Sequence, residues 1–245
     1  MSYSLFISDL HLDAARPEHV AALQALLEAH AGQAEALYVL GDLFETWIGD
    51  DDDTEFNQRV ISLFRTFSDR GSKLFFMHGN RDFLLGERFA EQTGGTLLPE
   101  GTVIDLYGTP TLLLHGDSLC TADEKYQQFR ALVRTSAWQQ DLFSKSLEER
   151  RAIAQGLRMQ SQQNNANKAD NIMDVTPDEV ARVMEEAGVS DLIHGHTHRP
   201  NVHQVHLSSG FGTRWVLGDW TSTGWLIRAS ADDIELTSFD IPTTR

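Results

Sequence analysis

Three histidines stand at alternate positions in one short stretch, Ile193-His194-Gly195-His196-Thr197-His198, which follows an apolar run. In an extended segment, residues two apart point the same way, so His196 and His198 would face one site while Gly195 lets the backbone approach it closely. Neutral imidazole binds manganese, iron, cobalt and zinc alike. The stretch therefore predicts a metal site, and the alternative is a solvated histidine-rich turn. We expect the remaining histidine, His194, to be structural.

Other residues with metal-binding side chains stand where predicted strands end. They are Asp9 and His11 after residues 4–8, Asp42 after residues 36–40, Asn80 after residues 73–77, and His115 after residues 111–114. Ligand sites of layered α/β folds form at the carboxyl ends of strands, so these side chains are expected to converge with His196 and His198. Seven ligands exceed the need of one ion. They suit two ions about 3.5 to 4 Å apart, which clamp the attacking and leaving oxygens of an in-line displacement.

The elements that must position these residues alternate between strand and helix along the first part of the chain. Helical spacing is visible around residues 20–27, 54–70 and 177–187, and the strand Asp191–His194 precedes the histidine stretch. Short glycine-punctuated segments between residues 201 and 239 predict a second, mostly antiparallel sheet. The fold class expected is α/β.

Residues 121–170 do not follow this alternation of strands and helices, because they show helical character and no strand pattern. We interpret them as an inserted cap on a core formed by residues 1–120 and 171–245. The segment is rich in apolar residues, and its eight Lys and Arg residues outnumber its six Asp and Glu residues. A basic, apolar cap suits an amphiphilic anionic ligand or a membrane surface, and charge reversal at Arg150 and Arg151 would then weaken liposome binding. The alternative is a helical hairpin packed on its own core.

Composition narrows the function classes. A formal charge of -16 argues against a broad nucleic-acid interface, which needs a basic face. The lone Cys120 cannot form an internal disulfide, which agrees with a reducing compartment. No apolar run is long enough to span a membrane and no basic leader is visible, so a cytoplasmic location is the expectation.

Five short motifs in this order resemble those of the calcineurin-like metallophosphoesterases. They are Asp9-Leu10-His11, Gly41-Asp42, Gly79-Asn80-Arg81-Asp82, His115-Gly116-Asp117 and Gly195-His196-Thr197-His198. The resemblance implies a two-sheet sandwich flanked by helices and two Mn²⁺ ions. Four residues would bind one ion and four the other, with Asp42 shared: Asp9, His11, Asp42 and His198, then Asp42, Asn80, His115 and His196. Paired cations of this kind lower the pKa of a shared water toward about 7.

Residues 41–50 and 81–86 are similar to those family members that hydrolyse the pyrophosphate bond of a nucleotide-sugar lipid in lipid A synthesis. The resemblance implies water attack at the phosphorus next to uridine, with release of UMP and a diacylated sugar 1-phosphate. It also implies a location on the cytoplasmic face of the inner membrane, with no obligate protein partner evident. The implied catalytic residues are Asn80, Arg81, His115 and His196, and the implied substrate contacts are Asn80, Arg81, Asp123, Ser161, Asn165, Lys168 and His196.

Arg81 stands where many family members carry a histidine thought to protonate the leaving group. Arginine cannot donate a proton near neutral pH, but it can bind phosphate oxygens through two N–H groups. That difference favours a pyrophosphate over a simple ester, because a sugar phosphate leaves more easily than an alkoxide. We expect Asp82 to orient a ligand histidine. Two alternatives stay open: another two-metal phosphodiesterase whose cap has no lipid slot, and a metal-binding scaffold without turnover.

Overall fold

The computed structural model describes residues 2–165 and 174–242, without the side chains of residues 162, 164 and 165. The helices described there are α1 Pro17–His30, α2 Glu55–Asp69, α3 Glu87–Thr93, α4 Glu124–Val133, α5 Ser136–Phe143, α6 Leu147–Asn165 and α7 Pro177–Ala187. The strands are β1 Tyr3–Ile7, β2 Ala36–Leu40, β3 Lys73–Met77, β4 Thr96–Leu98, β5 Thr102–Leu106, β6 Thr109–Leu113, β7 Asp191–His194, β8 Asn201–Leu207, β9 Gly210–Val216, β10 Thr223–Ser230 and β11 Ile234–Asp240.

The strands form two sheets, with the orders β11-β10-β1-β2-β3-β4 and β5-β6-β7-β9-β8. Strands β1 to β4 are mutually parallel, and β6 and β7 are parallel in the other sheet. The expected second sheet is present, but it is mixed and does not contain all of the C-terminal strands. Strands β8 and β9 extend the second sheet, while β10 and β11 form the antiparallel edge of the first.

Three apolar clusters hold the layers together. One lies between the two sheets and includes Phe6 of β1, Met77 of β3 and Ile193 of β7. Another packs α1, α2 and α3 on the outer face of the first sheet, and the third packs α7 on the second sheet. The resulting order is helix, sheet, sheet, helix, as expected of the fold class.

Local signals explain why several elements begin and end where they do. The Thr54 hydroxyl accepts a hydrogen bond from the Asn57 N–H and caps α2. Helix α7 begins with Pro177 and ends at Gly188, which adopts the left-handed conformation that favours glycine. The short elements α3 and β4 were not predicted, because three to seven residues are too few for a hydrophobic period to show.

Helices α4, α5 and α6 occupy the segment interpreted as a cap, and a run of acidic residues before α2 contacts the last of them. Asp51 accepts two hydrogen bonds from the Arg150 guanidinium, at 2.7 and 2.8 Å, and Asp52 pairs with Arg151. Arg150 is buried and pairs with Asp51, whereas the Arg151 side chain is half exposed, so the effect of charge reversal on liposome binding stays a prediction. Within the described residues, no helix is both long and apolar enough to cross a bilayer.

Candidate metal centre

The candidate ligands converge where the carboxyl ends of parallel strands from both sheets meet. Asp9 follows β1, Asp42 follows β2 and His115 follows β6. In the described part of the chain, two groups of ligand atoms each lie within 4.8 Å of one another: Asp9, His11 and His198, and Asp9, Asp42 and His115. The topology therefore brings His11 and His198, which are 187 positions apart along the chain, into hydrogen-bonding distance.

The backbone at this site is strained. Among the described residues, six non-glycine residues have positive φ, and five of them are predicted ligands: Asp9 (55°), His11 (47°), Asp42 (51°), His196 (68°) and His198 (56°). Each such conformation costs on the order of 1 to 3 kcal/mol and persists only where the surroundings enforce it. The extended backbone expected at His196 and His198 is therefore wrong, although both side chains do reach the site.

Asp9, His11, Asp42 and His198 surround the first predicted metal position. His11 Nε2 lies 3.3 Å from His198 Nε2 and 3.9 Å from Asp42 Oδ2, and His198 Nε2 lies 3.5 Å from Asp9 Oδ1. Asp9 Oδ1 is buried and accepts no hydrogen bond in the structure. Two imidazole nitrogens directed at each other beside an unsatisfied carboxylate oxygen fit a divalent cation better than any arrangement of hydrogen bonds among them.

The second predicted metal position shares Asp42 with the first. Around it lie Asn80, His115 and His196. His115 Nδ1 lies 2.8 Å from the Leu40 carbonyl oxygen and donates to it, which leaves Nε2 free to face Asn80 Oδ1 at 3.1 Å and Asp42 Oδ1 at 3.7 Å. Such a hydrogen bond on the far nitrogen is typical of a ligating histidine. The His196 ring packs edge to face on the His115 ring, with centroids 5.0 Å apart.

Electrostatics agree with a cation at this place. Burial opposes a charge on His115, but the carboxylates of Asp42, Asp9 and Asp117 outweigh it and raise the pKa of His115 to about 9. Burial and the nearby His115 lower the pKa of His196 to about 4. The carboxylates that stabilise a proton on the buried His115 imidazole would also stabilise a divalent cation in place of that proton.

Two carboxylates that the sequence analysis did not identify contact the Nδ1 atoms of His11 and His198 at the first metal position. Glu45 Oε2 lies 3.3 Å from His11 Nδ1, and Asp219 Oδ2 lies 3.5 Å from His198 Nδ1. Carboxylates in this position fix the orientation of a ligand histidine and raise its basicity. The only sequence signal was proximity: Glu45 stands three residues after Asp42, and Asp219 follows Gly218 after a strand.

Asp82 has a different role from the one expected. Its two oxygens accept backbone N–H groups of Asp42 (3.2 Å), Leu43 (2.7 Å) and Gly79 (2.8 Å), so it organises the turns that carry ligands rather than orienting a histidine. Burial and the charge of Asp42 raise the pKa of Asp82 to about 6. His194, in contrast, is buried and donates or accepts only within the protein, as expected of a structural residue.

Helix α4 packs directly on the second position through Asp117. The buried Asp117 Oδ2 accepts from the Tyr126 hydroxyl at 2.5 Å and from Arg130 Nε at 2.9 Å. The Tyr126 ring lies nearly parallel to the His196 ring, and Arg134 donates to the Gly79 carbonyl at 3.1 Å. The cap thereby contacts the turns that present Asn80, His115 and His196.

A cavity of about 1090 Å³ extends from the ligand cluster into the cap. Polar lining residues include His11, Asp42, Asn80, Arg81, His196 and His198, together with Asp123 and Ser161 of the cap segment. Arg81 Nε is buried and has no hydrogen-bond partner in the structure. The Asp123 side chain also caps α4 by accepting from the Tyr126 N–H. The Asn165 side chain and Lys168 lie outside the described residues.

Apolar side chains also line the cavity, and the part that they surround is called the apolar chamber below. They come from the core and from all three cap helices: Trp47, Ile48, Phe83, Leu84, Phe129, Trp138, Leu142, Ile153, Ala154 and Leu157. A single cavity therefore joins a cluster of metal-binding side chains to an apolar chamber.

The model of the calcineurin-like phosphoesterase family matches residues 4–200. The chain belongs to this family. The match contains every candidate metal ligand and the three cap helices, and it confirms the predicted fold class.

Similar proteins of known name extend over nearly the whole chain. A UDP-2,3-diacylglucosamine hydrolase of Cellvibrio japonicus is 52% identical over 238 residues, which cover 97% of this chain and 99% of the relative. A protein of the same name from Photobacterium profundum is 48% identical over 237 residues, covering 97% of each chain. An archaeal phosphodiesterase of solved structure has a TM-score of 0.51 at 12% identity, with 97% of this chain and 99% of that chain covered; this likeness concerns the fold alone.

Gly79→Ala tests whether the close contact between two turns maintains the site. A Cβ at position 79 would clash with Asp42 Oδ1 and with the Asp42 backbone nitrogen, so Asp42 must shift. We expect the free energy of unfolding to fall by about 1 to 3 kcal/mol and Mn²⁺ binding to weaken. Chemical denaturation and metal titration measure the two effects.

Gly156→Ala is the matched control, because no atom lies within 4 Å of a Cβ at that position in α6. It should retain metal binding and gain up to about 1 kcal/mol from helix propensity. Equal metal affinity in the two variants would contradict the role given to Gly79.

Proposed function

We propose that this protein hydrolyses the pyrophosphate bond of UDP-2,3-diacylglucosamine, releasing UMP and 2,3-diacylglucosamine 1-phosphate. The observation that carries the proposal is the cavity, because it joins a phosphoesterase ligand cluster to an apolar chamber. The names of the relatives at 52% and 48% identity support the same substrate. A pyrophosphate bound at the ligand cluster would leave the acyl chains directed toward the cap.

Two Mn²⁺ ions are the proposed cofactors. Asp9, His11, Asp42 and His198 would hold one, and Asp42, Asn80, His115 and His196 the other. The buried, unsatisfied Asp9 Oδ1 and the His115 tautomer set by Leu40 support this assignment. Bound cations would supply Lewis-acid activation of water and neutralise charge on the phosphoryl oxygens. His115 is fully buried, so its contribution to catalysis would be limited to holding a cation.

Arg81 is proposed to bind the phosphate oxygens of the substrate. Its side chain borders the cavity beside Asn80, and its backbone N–H donates to Asp42 Oδ1 at 2.8 Å, which ties its position to the metal site. The unpartnered Nε leaves a donor available for an anion. A guanidinium in this place would stabilise charge that develops as the bond to the sugar phosphate breaks.

The cap, residues 121–170, is proposed to recognise the lipid part. Asp123 and Ser161 line the cavity and would contact the glucosamine ring, and Asn165 and Lys168 stay predicted contacts. Burial of acyl methylenes stabilises binding by about 0.8 kcal/mol each. The apolar chamber would therefore select lipid substrates over unacylated nucleotide sugars.

Hydrolysis by the purified, metal-stripped protein with added Mn²⁺ tests the proposed reaction. We expect UMP release from UDP-2,3-diacylglucosamine. The kcat/KM for UDP-glucosamine, which has no acyl chains, should be at least about 100-fold lower, because burial of only four methylenes already accounts for such a ratio. Nitrophenyl phosphate esters should be poorer still, because they offer neither a second phosphate group for Arg81 nor acyl chains for the apolar chamber.

Comparable turnover of the unacylated compound would favour another two-metal phosphodiesterase with a cap that binds no lipid. No turnover of any compound would favour a metal-binding scaffold.

Peripheral contact with the cytoplasmic face of the inner membrane is the proposed location. Its support is the exposure of three large apolar side chains on the cap helices: Leu132 (55%), Phe143 (42%) and Met159 (54%). They occur on α4, α5 and α6, the same helices that line the apolar chamber. Insertion of such side chains into the headgroup region is the usual mode of interfacial attachment.

Replacement of Leu132, Phe143 and Met159 by glutamine should weaken cosedimentation with anionic phospholipid vesicles at least about tenfold, because each buried apolar side chain is worth about 1.5 kcal/mol or more. The matched control replaces three similarly exposed residues of the second sheet: Val103, Val202 and Phe211. Loss of vesicle binding in the control but not in the cap variant would place the membrane contact elsewhere.

A further inference from the structure

Glu45 lies between the metal ligands and the cap. Its backbone N–H donates to the Leu12 carbonyl at 3.0 Å, which fixes it beside the Asp9-Leu10-His11 turn. Only 17% of its side chain is exposed, and Oε2 faces His11 Nδ1 at 3.3 Å. The same oxygen lies 3.8 Å from Arg16 Nη2.

The second carboxylate oxygen of Glu45 contacts the cap. Oε1 pairs with Arg158 of α6, whose side chain is 30% exposed and lines the cavity. One carboxylate therefore contacts a candidate metal ligand on one side and a helix of the cap on the other.

Asp219 provides a comparison within the same site. It stands behind His198 as Glu45 stands behind His11, with a separation of 3.5 Å between Oδ2 and Nδ1. In the described structure, however, no ion pair links Asp219 to α4, α5 or α6. The two carboxylates thus share the contact with a histidine and differ in the contact with the cap.

We propose that Glu45 is a positioning residue that couples the first metal position to the cap: Oε2 orients His11 while Oε1 holds α6 through Arg158. The inference rests on the proposed metal site and deepens it, because it makes ion binding and cap docking interdependent. An ion that fixes His11 also fixes Glu45, and a fixed Glu45 presents Oε1 to Arg158. Such coupling is reciprocal, so a docked cap also favours the bound ion.

The test compares Glu45→Gln with Asp219→Asn in the full-length chain. Mn²⁺ affinity is measured from the electron paramagnetic resonance signal of the free ion, and amide hydrogen exchange of α6 is measured without Mn²⁺ and at a concentration that saturates each variant. We expect either variant to weaken the binding of one ion by about 10- to 100-fold. Saturating Mn²⁺ should slow exchange in α6 of the wild type and of Asp219→Asn, but not of Glu45→Gln.

A second variant, Glu45→Asp, guards against misfolding, because it keeps the charge but is one methylene too short to contact His11 and Arg158 together. It should also lose the Mn²⁺-dependent protection of α6. Wild-type affinity in Glu45→Gln, or equal protection of α6 in wild type and Glu45→Gln, would overturn the proposal while leaving the proposed function intact. Absence of Mn²⁺ binding by the wild type would overturn the proposed metal site as well.

Discussion

The burial of Asp9 and Asp42 next to one another is the constraint on which the rest of the structure depends. Both carboxylates are almost completely excluded from solvent, and unpaired buried charges cost several kcal/mol each. Among the described contacts of the two carboxylates, the protein supplies imidazoles, backbone N–H groups and the Ser8 hydroxyl but no Lys or Arg side chain, which suits divalent cations. The positive φ angles of Asp9, His11, Asp42, His196 and His198 add strain that only a rigid surrounding fold can maintain.

That surrounding fold is the pair of sheets, and the cap completes it. The inter-sheet core holds β1, β2, β3, β6 and β7 so that their carboxyl ends meet. Helix α4 contacts the second position through Asp117 and Tyr126, whereas α6 contacts the first through Arg158 and Glu45. The proposed substrate cavity and the proposed metal site would therefore share these contacts, which gives a physical reason why the cap could influence chemistry in the core.

Much of this arrangement was predictable from the sequence, for identifiable reasons. The bounds of Ala36–Leu40, Lys73–Met77 and Asp191–His194 were predicted correctly, because each is an apolar run that ends at a polar or glycine-containing turn. The division of the C-terminal strands between two sheets was not, because strand pairing over long separations leaves no local pattern. The same limit applies to side-chain partners. The sequence showed that Arg150 is basic but not that Asp51 neutralises it. It also contained no local pattern that connected Glu45 with His11.

We propose that five strand-end turns build one dinuclear metal site. Diffraction from crystals grown with Mn²⁺, recorded on both sides of the manganese absorption edge, tests it most directly. We expect two anomalous peaks about 3.5 to 4 Å apart on either side of the Asp42 carboxylate. One peak should lie against His11 and His198, and the other against His115 and His196. A single peak, or peaks away from Asp42, would contradict the account.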